Sequence, residues 1–122
     1  MGAKVLVVED DAAMRHMLGS VLNISDLEPV LLTSAEEALE WLPDDQPDVI
    51  LCDLNLPGMN GDAFIEVVRS SDLAATPIIL MSAYQEPKEH RADAFFAKPF
   101  DPFEVADLVQ EMSRPGSAPA LR

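Results

Sequence analysis

Five short apolar runs alternate along the chain with segments whose apolar residues recur at helical spacing. The runs occupy residues 4–8 (KVLVV), 29–32 (PVLL), 48–52 (DVILC), 77–81 (PIILM) and 94–97 (AFFA). The first, third and fourth are apolar for four or more consecutive residues, as central parallel strands covered on both faces require. The second opens on a proline and suits an edge. Between the runs, Met14, Met17, Leu18, Val21 and Leu22 form one helical stripe, and Ala35, Ala38, Leu39 and Leu42 a second. Phe64, Val67 and Val68 form a third, and Val105, Leu108, Val109 and Met112 a fourth. Two helix starts carry capping boxes, Ser34 with Glu37 and Asp101 with Glu104, the latter with Pro102 at the first helical position. Strand–helix alternation of this kind predicts an α/β fold around a parallel sheet.

One segment breaks the rhythm. Between Ser82 and Phe95 lie twelve residues, AYQEPKEHRADA, with a helix-discouraging Pro87 and no apolar stripe. A crossover between parallel strands needs at least about 10–12 residues. The helix expected here is therefore absent or a single loose turn, and the segment mobile. The sheet near Phe95 is then expected to expose apolar surface suited to a partner or to a second copy.

At 122 residues the chain has the length of one domain. Residues 1–113 carry all the periodic segments, and the stretch from Arg114, RPGSAPALR, reads as a frayed end or the start of a linker. Eight basic against 22 acidic residues give a net charge of −14, which argues against direct binding of nucleic acid or an anionic membrane. One cysteine excludes an internal disulfide, and the first apolar run is too short for a signal or membrane segment. A cytoplasmic protein is expected. His16 and His90 have no partner at metal-ligand spacing, and neither receives a role.

The polar residues that follow the strands carry the chemistry. The first run leads into Glu9, Asp10 and Asp11, the third into Asp53, the fourth into Ser82 and the fifth into Lys98. Taken singly, each has an ordinary explanation: a helix start, a turn cap, a strand-end hydroxyl, a surface lysine. Ligands of open α/β sheets bind outside the carboxyl ends of the strands. If the strand order is 2-1-3-4-5, the four equipped strands lie side by side, and their end groups would converge on one site. Three clustered carboxylates raise one another's pKa unless a cation sits among them, and a hard divalent ion such as Mg²⁺ removes that cost. A cation, an ammonium and a hydroxyl suit a phosphoryl group in transfer, with an ionised aspartate as nucleophile.

The motifs VLVVEDD, DVILCDLNLPGMNG, PIILMSAY and FFAKPF, in this order, resemble those of response regulator receiver domains of two-component signalling over residues 4 to about 112. The resemblance implies a flavodoxin-like, doubly wound, five-stranded parallel sheet of order 2-1-3-4-5. It implies Asp53 as phosphoacceptor. Mg²⁺ would be held by Asp10, Asp53 and the backbone carbonyl of Asn55, with Glu9 acting through water. Ser82 and Lys98 would bind the phosphoryl group, and Phe95 sits where the family carries its switch aromatic. The implied partners are a histidine kinase or phosphotransfer protein and a downstream target or effector domain, with a homodimer as a further arrangement. Glu9 and Ser82 replace the commoner Asp and Thr, and Pro99 follows a bond that is usually cis in the family. The usual receiver has a full fourth helix where this chain has its polar segment.

Two other functions compete. An aspartyl-nucleophile phosphohydrolase of the haloacid dehalogenase type also uses Asp, Ser/Thr and Lys, but its acidic pair follows the lysine, and Asn55 stands where it needs a second acid. A receiver-like module that binds partners without phosphorylation commonly lacks one of the site residues, whereas this chain has the full set.

Overall fold

Each apolar run becomes a strand and each apolar stripe a helix in the computed structural model, which describes residues 2–113. The elements are β1 (Lys4–Val8), α1 (Ala12–Ile24), β2 (Glu28–Leu32), α2 (Ala35–Trp41), a single 3₁₀ turn (Leu42–Asp44), β3 (Val49–Asp53), α3 (Gly61–Arg69), β4 (Ile78–Ser82), β5 (Ala94–Ala97) and α4 (Pro102–Met112). All strands pair in parallel in the order β2-β1-β3-β4-β5. The tail from Arg114, expected to be frayed, lies outside the described residues.

Alternation along the strands sorts the core into two layers. Val5, Val7, Leu51, Ile79 and Met81 pack with Leu18 and Leu22 of α1 and with Val105 and Val109 of α4. Leu6, Val8, Ile50, Cys52 and Leu80 point the other way, against Ala35 and Ala38 of α2 and Phe64, Ile65 and Val68 of α3. Each fully buried Leu, Ile or Val contributes about 1.5–3 kcal/mol, so these two layers dominate the stability of the sheet. Burial raises the Cys52 thiol well above its ordinary pKa, and it serves as a small core residue.

Local signals set the helix ends. The Asp11, Ser34, Asn60 and Asp101 side chains accept backbone N–H groups at the starts of α1, α2, α3 and α4. The Ser34 box closes one residue early: Glu37 Oε1 accepts the Thr33 N–H at 2.7 Å. In α3 the buried set is Gly61, Phe64, Ile65 and Val68, whereas Val67, expected in the stripe, is 43% exposed. The face is rotated because Gly61 starts the i, i+3, i+4, i+7 series.

No helix forms between β4 and β5, as the polar composition of that segment predicts. Its second half is nevertheless tied down. The Asp93 N–H donates to the Ile78 carbonyl, and the Ile78 N–H donates to Asp93 Oδ2, both at 2.8 Å. Arg69, largely buried, pairs with Asp93 at 3.0 Å and donates to the carbonyls of Ala74, Thr76 and Arg91. His90, which received no role from the sequence, packs its ring on Phe95, with centroids 6.4 Å apart, and its Nε2 lies 2.7 Å from Glu86.

The surface expected to be apolar there differs too. Phe95 is only partly exposed, and a groove of about 600 Å³ beside β5 is lined by Glu86, Asp93, Glu104 and Asp107 around Phe95 and Phe96. Glu86 and Asp93 of the helix-free segment and Glu104 and Asp107 of α4 line it with carboxylates. Among the described residues, no helix is long and apolar enough to cross a membrane.

Candidate functional site

Strands β3 and β4 each run one residue past their apolar stretch, so Asp53 and Ser82 are the last residues of central strands. Register aligns Asp53 with Met81 and Ser82 with Ala97. Lys98 follows directly, its N–H donating to the Ser82 carbonyl at 2.8 Å. The Lys98–Pro99 bond is cis, as the KP motif led us to expect. Glu9 continues β1 through its N–H to the Leu32 carbonyl at 3.1 Å. Parallel pairing therefore delivers Glu9, Asp53, Ser82 and Lys98 to one end of the sheet.

Lys98 is the hub. Its Nζ donates to Glu9 Oε1 at 2.7 Å and to Asp53 Oδ2 at 3.2 Å. Glu9 is fully buried, and its second oxygen accepts the Asp11 N–H at 3.1 Å. Asp53 is 4% exposed, and its Oδ1 accepts the Asn55 N–H at 3.2 Å. Burial raises the Glu9 pKa; the hydrogen bonds from Lys98 and Asp11 offset part of this, and the Asp53 charge adds to it. Burial alone would lower the Lys98 pKa, but its hydrogen bond to Glu9 and the charge of Asp53 outweigh that, and the net direction is upward. Lys98 is therefore a fixed ammonium beside Asp53 at neutral pH.

The three acids after β1 divide their roles. Glu9 is paired with Lys98, Asp11 caps α1 through Met14 N–H at 2.8 Å, and Asp10 is exposed. One oxygen each from Glu9, Asp10 and Asp53 lies within 4.8 Å of the others. With all-oxygen donors and more negative charge than Lys98 neutralises, the cluster fits a hard divalent cation such as Mg²⁺. Arg15 Nη1 holds the loop by donating to the carbonyls of Glu9 and Asp10 at 3.0 and 3.2 Å.

The loop after Asp53 is shaped by two glycines in different ways. Gly58 has φ of 75°, the left-handed region that favours glycine. Gly61 is required by close approach, since a Cβ there would stand 2.4 Å from the Asp53 carbonyl oxygen. Glu36 of α2 accepts the Met59 N–H at 2.9 Å and ties the loop down.

Ser82 is engaged by the loop that follows Asp53. Its hydroxyl donates to the Asn55 side-chain oxygen at 2.9 Å and accepts the Tyr84 N–H at 3.0 Å. Phe95, the expected switch aromatic, is half-buried under the His90 ring. Sequence reasoning brought together Glu9, Asp10, Asp53, Ser82 and Lys98, but missed the Asn55 side chain, Arg15 and Glu36. The Asn55–Ser82 bond spans 27 residues and has no periodic signature. Arg15 lies at helical spacing from Asp11, a faint signal that a basic residue could reach back over the acidic loop.

Comparison with known proteins agrees with this geometry. The response regulator receiver domain family matches residues 5–110. The chain is 36% identical over 115 residues to the response regulator protein FleR of Pseudomonas aeruginosa, covering 89% of this chain and 24% of that protein. It is 32% identical to sporulation initiation phosphotransferase F of Bacillus subtilis, covering 91% of this chain and 94% of that one. A crystal structure of a putative response regulator from Chloroflexus aurantiacus superposes with a TM-score of 0.86 at 30% identity, covering 93% and 98% of the two chains. The chain thus spans about a quarter of FleR and nearly all of the phosphotransferase. Fold, strand-end chemistry and relatives coincide, and the chain belongs to the response regulator receiver domain family of two-component signalling.

Proposed function

We propose that Asp53 is the phosphoacceptor of a Mg²⁺-dependent switch, supplied by a histidine kinase or phosphotransfer protein. The observation that carries this is the buried Asp53 carboxylate held 3.2 Å from the Lys98 ammonium and beside the acids Glu9 and Asp10. An Asp53 oxygen attacks phosphorus, an acyl phosphate forms, and the P–N bond of the donor phosphohistidine breaks with its electron pair returning to the imidazole. Lys98 pairs with the phosphoryl oxygens as charge shifts onto them. Asp10, Asp53 and the Asn55 carbonyl would hold Mg²⁺, with Glu9 acting through water. When bound, the ion supplies positive charge to the phosphoryl oxygens. Ser82 donates to a phosphoryl oxygen once its loop moves inward, and Phe95 follows that movement.

The domain acts as a phosphoacceptor rather than as an enzyme on other substrates, works in the cytoplasm, and signals to a downstream protein target or effector domain. A homodimer is a further arrangement of this reading, although the carboxylates around the β5 groove disfavour two copies meeting there. Incubation with Mg²⁺ and acetyl phosphate should add one acid-stable, base-labile phosphoryl group, read by intact-protein mass. Asp53→Asn or chelation of the metal should abolish the gain. Phosphate retained by Asp53→Asn would place the acceptor elsewhere.

A further inference from the structure

Ser82 presents a conflict between what it does in the resting chain and what phosphoryl binding asks of it. A serine hydroxyl has one proton to donate. Here that proton is given to Asn55 Oδ1 at 2.9 Å, while the Tyr84 N–H occupies a lone pair of the same oxygen at 3.0 Å. Ser82 is fully buried, so its hydroxyl turns to protein partners rather than to bulk water. Asn55 is well placed to hold it. Its own N–H donates to Asp53 Oδ1 at 3.2 Å, so the same residue touches both the acceptor and the hydroxyl that must reach the acceptor's phosphoryl group.

We propose that the Asn55 side chain is a resting-state latch, which competes with the phosphoryl group for the Ser82 proton and so holds back the switch. Resting on the phosphoacceptor reading above, this adds a second role to Asn55: its carbonyl serves the cation, and its amide oxygen restrains Ser82. Tyr84 extends the latch into the helix-free segment, because its N–H is bound to the hydroxyl that moves. Releasing Ser82 therefore frees the first residues after β4 in the same event. Asn55 is exposed, so its side chain is not needed to fill the core and truncation leaves the fold intact.

The latch is one neutral hydrogen bond, so its removal should favour the phosphoryl-bound state about two- to tenfold. The test is titration of the metal-saturated protein with beryllofluoride, a phosphoryl mimic, followed by the amide resonances of Ser82 and Tyr84. Asn55→Ala should bind two- to tenfold more tightly than the unsubstituted protein, with Mg²⁺ affinity measured separately for each variant. In a Ser82→Ala background, Asn55→Ala should bring no gain, because there is no hydroxyl left to release. Equal affinities for Asn55→Ala and the unsubstituted protein, or the same gain without the Ser82 hydroxyl, would overturn the latch alone. No beryllofluoride binding by the unsubstituted protein would overturn the phosphoacceptor reading, and the latch with it.

Discussion

Replacing Lys98 with methionine removes the single cation between two buried carboxylates while keeping a side chain of similar length. Among the described residues, the fully buried Glu9 then keeps only the Asp11 N–H, and Asp53 only the Asn55 N–H. Removing one partner of a buried ion pair costs about 3–5 kcal/mol. Because the Lys98 side chain retains 16% exposure, the loss should fall near the lower end, about 3 kcal/mol at pH 8. The pH dependence identifies the cause. The folded-state pKa of Glu9 lies above its ordinary 4.5, so the folded chain binds the extra proton, and stability falls as pH rises through that interval. Without Lys98 the Glu9 pKa rises further and the interval widens upward. The variant should therefore follow the pH trend of the unsubstituted protein up to that protein's own raised Glu9 pKa and diverge beyond it, by at most about 1.4 kcal/mol per pH unit. Urea unfolding of both proteins in EDTA from pH 4.5 to 8 measures this. A Lys98→Met loss that is below about 0.5 kcal/mol at pH 8, or that does not vary with pH, would refute Glu9–Lys98 as a buried, coupled pair.

Gly61→Ala should cost about 1–3 kcal/mol by overpacking and impair phosphorylation, because the new Cβ meets the Asp53 backbone; urea midpoints and phosphate incorporation check both effects. Asp10→Ala should weaken Mg²⁺ binding more than Ser82→Ala does, whereas Ser82→Ala should weaken the response to the phosphoryl mimic more; metal titration followed by NMR separates them, and equal losses would contradict the assigned roles. Hydrogen exchange should be fast across residues 85–89 and slow at Ile78 and Asp93, whose N–H groups are paired; strong protection across residues 85–89 would contradict the absence of a helix there.

What could be read in advance follows from range. Strands and helices are written in local periodicity, so Val5–Val8 or Leu18–Leu22 declared their elements without tertiary help. The acceptor end of the sheet was legible because parallel strands all present their C-terminal residues on one side, which makes convergence a matter of topology. The loss of the fourth helix was legible for the same local reason: residues 86–93 offer no apolar face. Contacts between distant segments left little trace. Glu36 on Met59, Arg69 on Asp93 and Ser82 on Asn55 each join segments more than twenty residues apart through polar side chains that look like ordinary surface residues in the sequence. Val67 misled because three apolar residues at helical spacing do not determine which way the helix turns its face; the close contact at Gly61 decides that.

The carboxylate-lined groove beside β5 also bears on the solubility of the sheet. Among the described residues β5 pairs only with β4, and such an edge is a recognised site of strand addition from another molecule and of aggregation. The strand is four residues long and is bracketed by Asp93 and by Lys98–Pro99, and a second chain approaching it would bring Glu86, Asp93, Glu104 and Asp107 against their own counterparts. β2, the opposite border, carries Glu28 and Pro29 at its start. Where no helix covers this side of the sheet, like charges on identical molecules oppose edge-to-edge pairing. That repulsion is strongest at neutral pH and fades toward the isoelectric point near 4.2, where intermolecular β-pairing has least to oppose it.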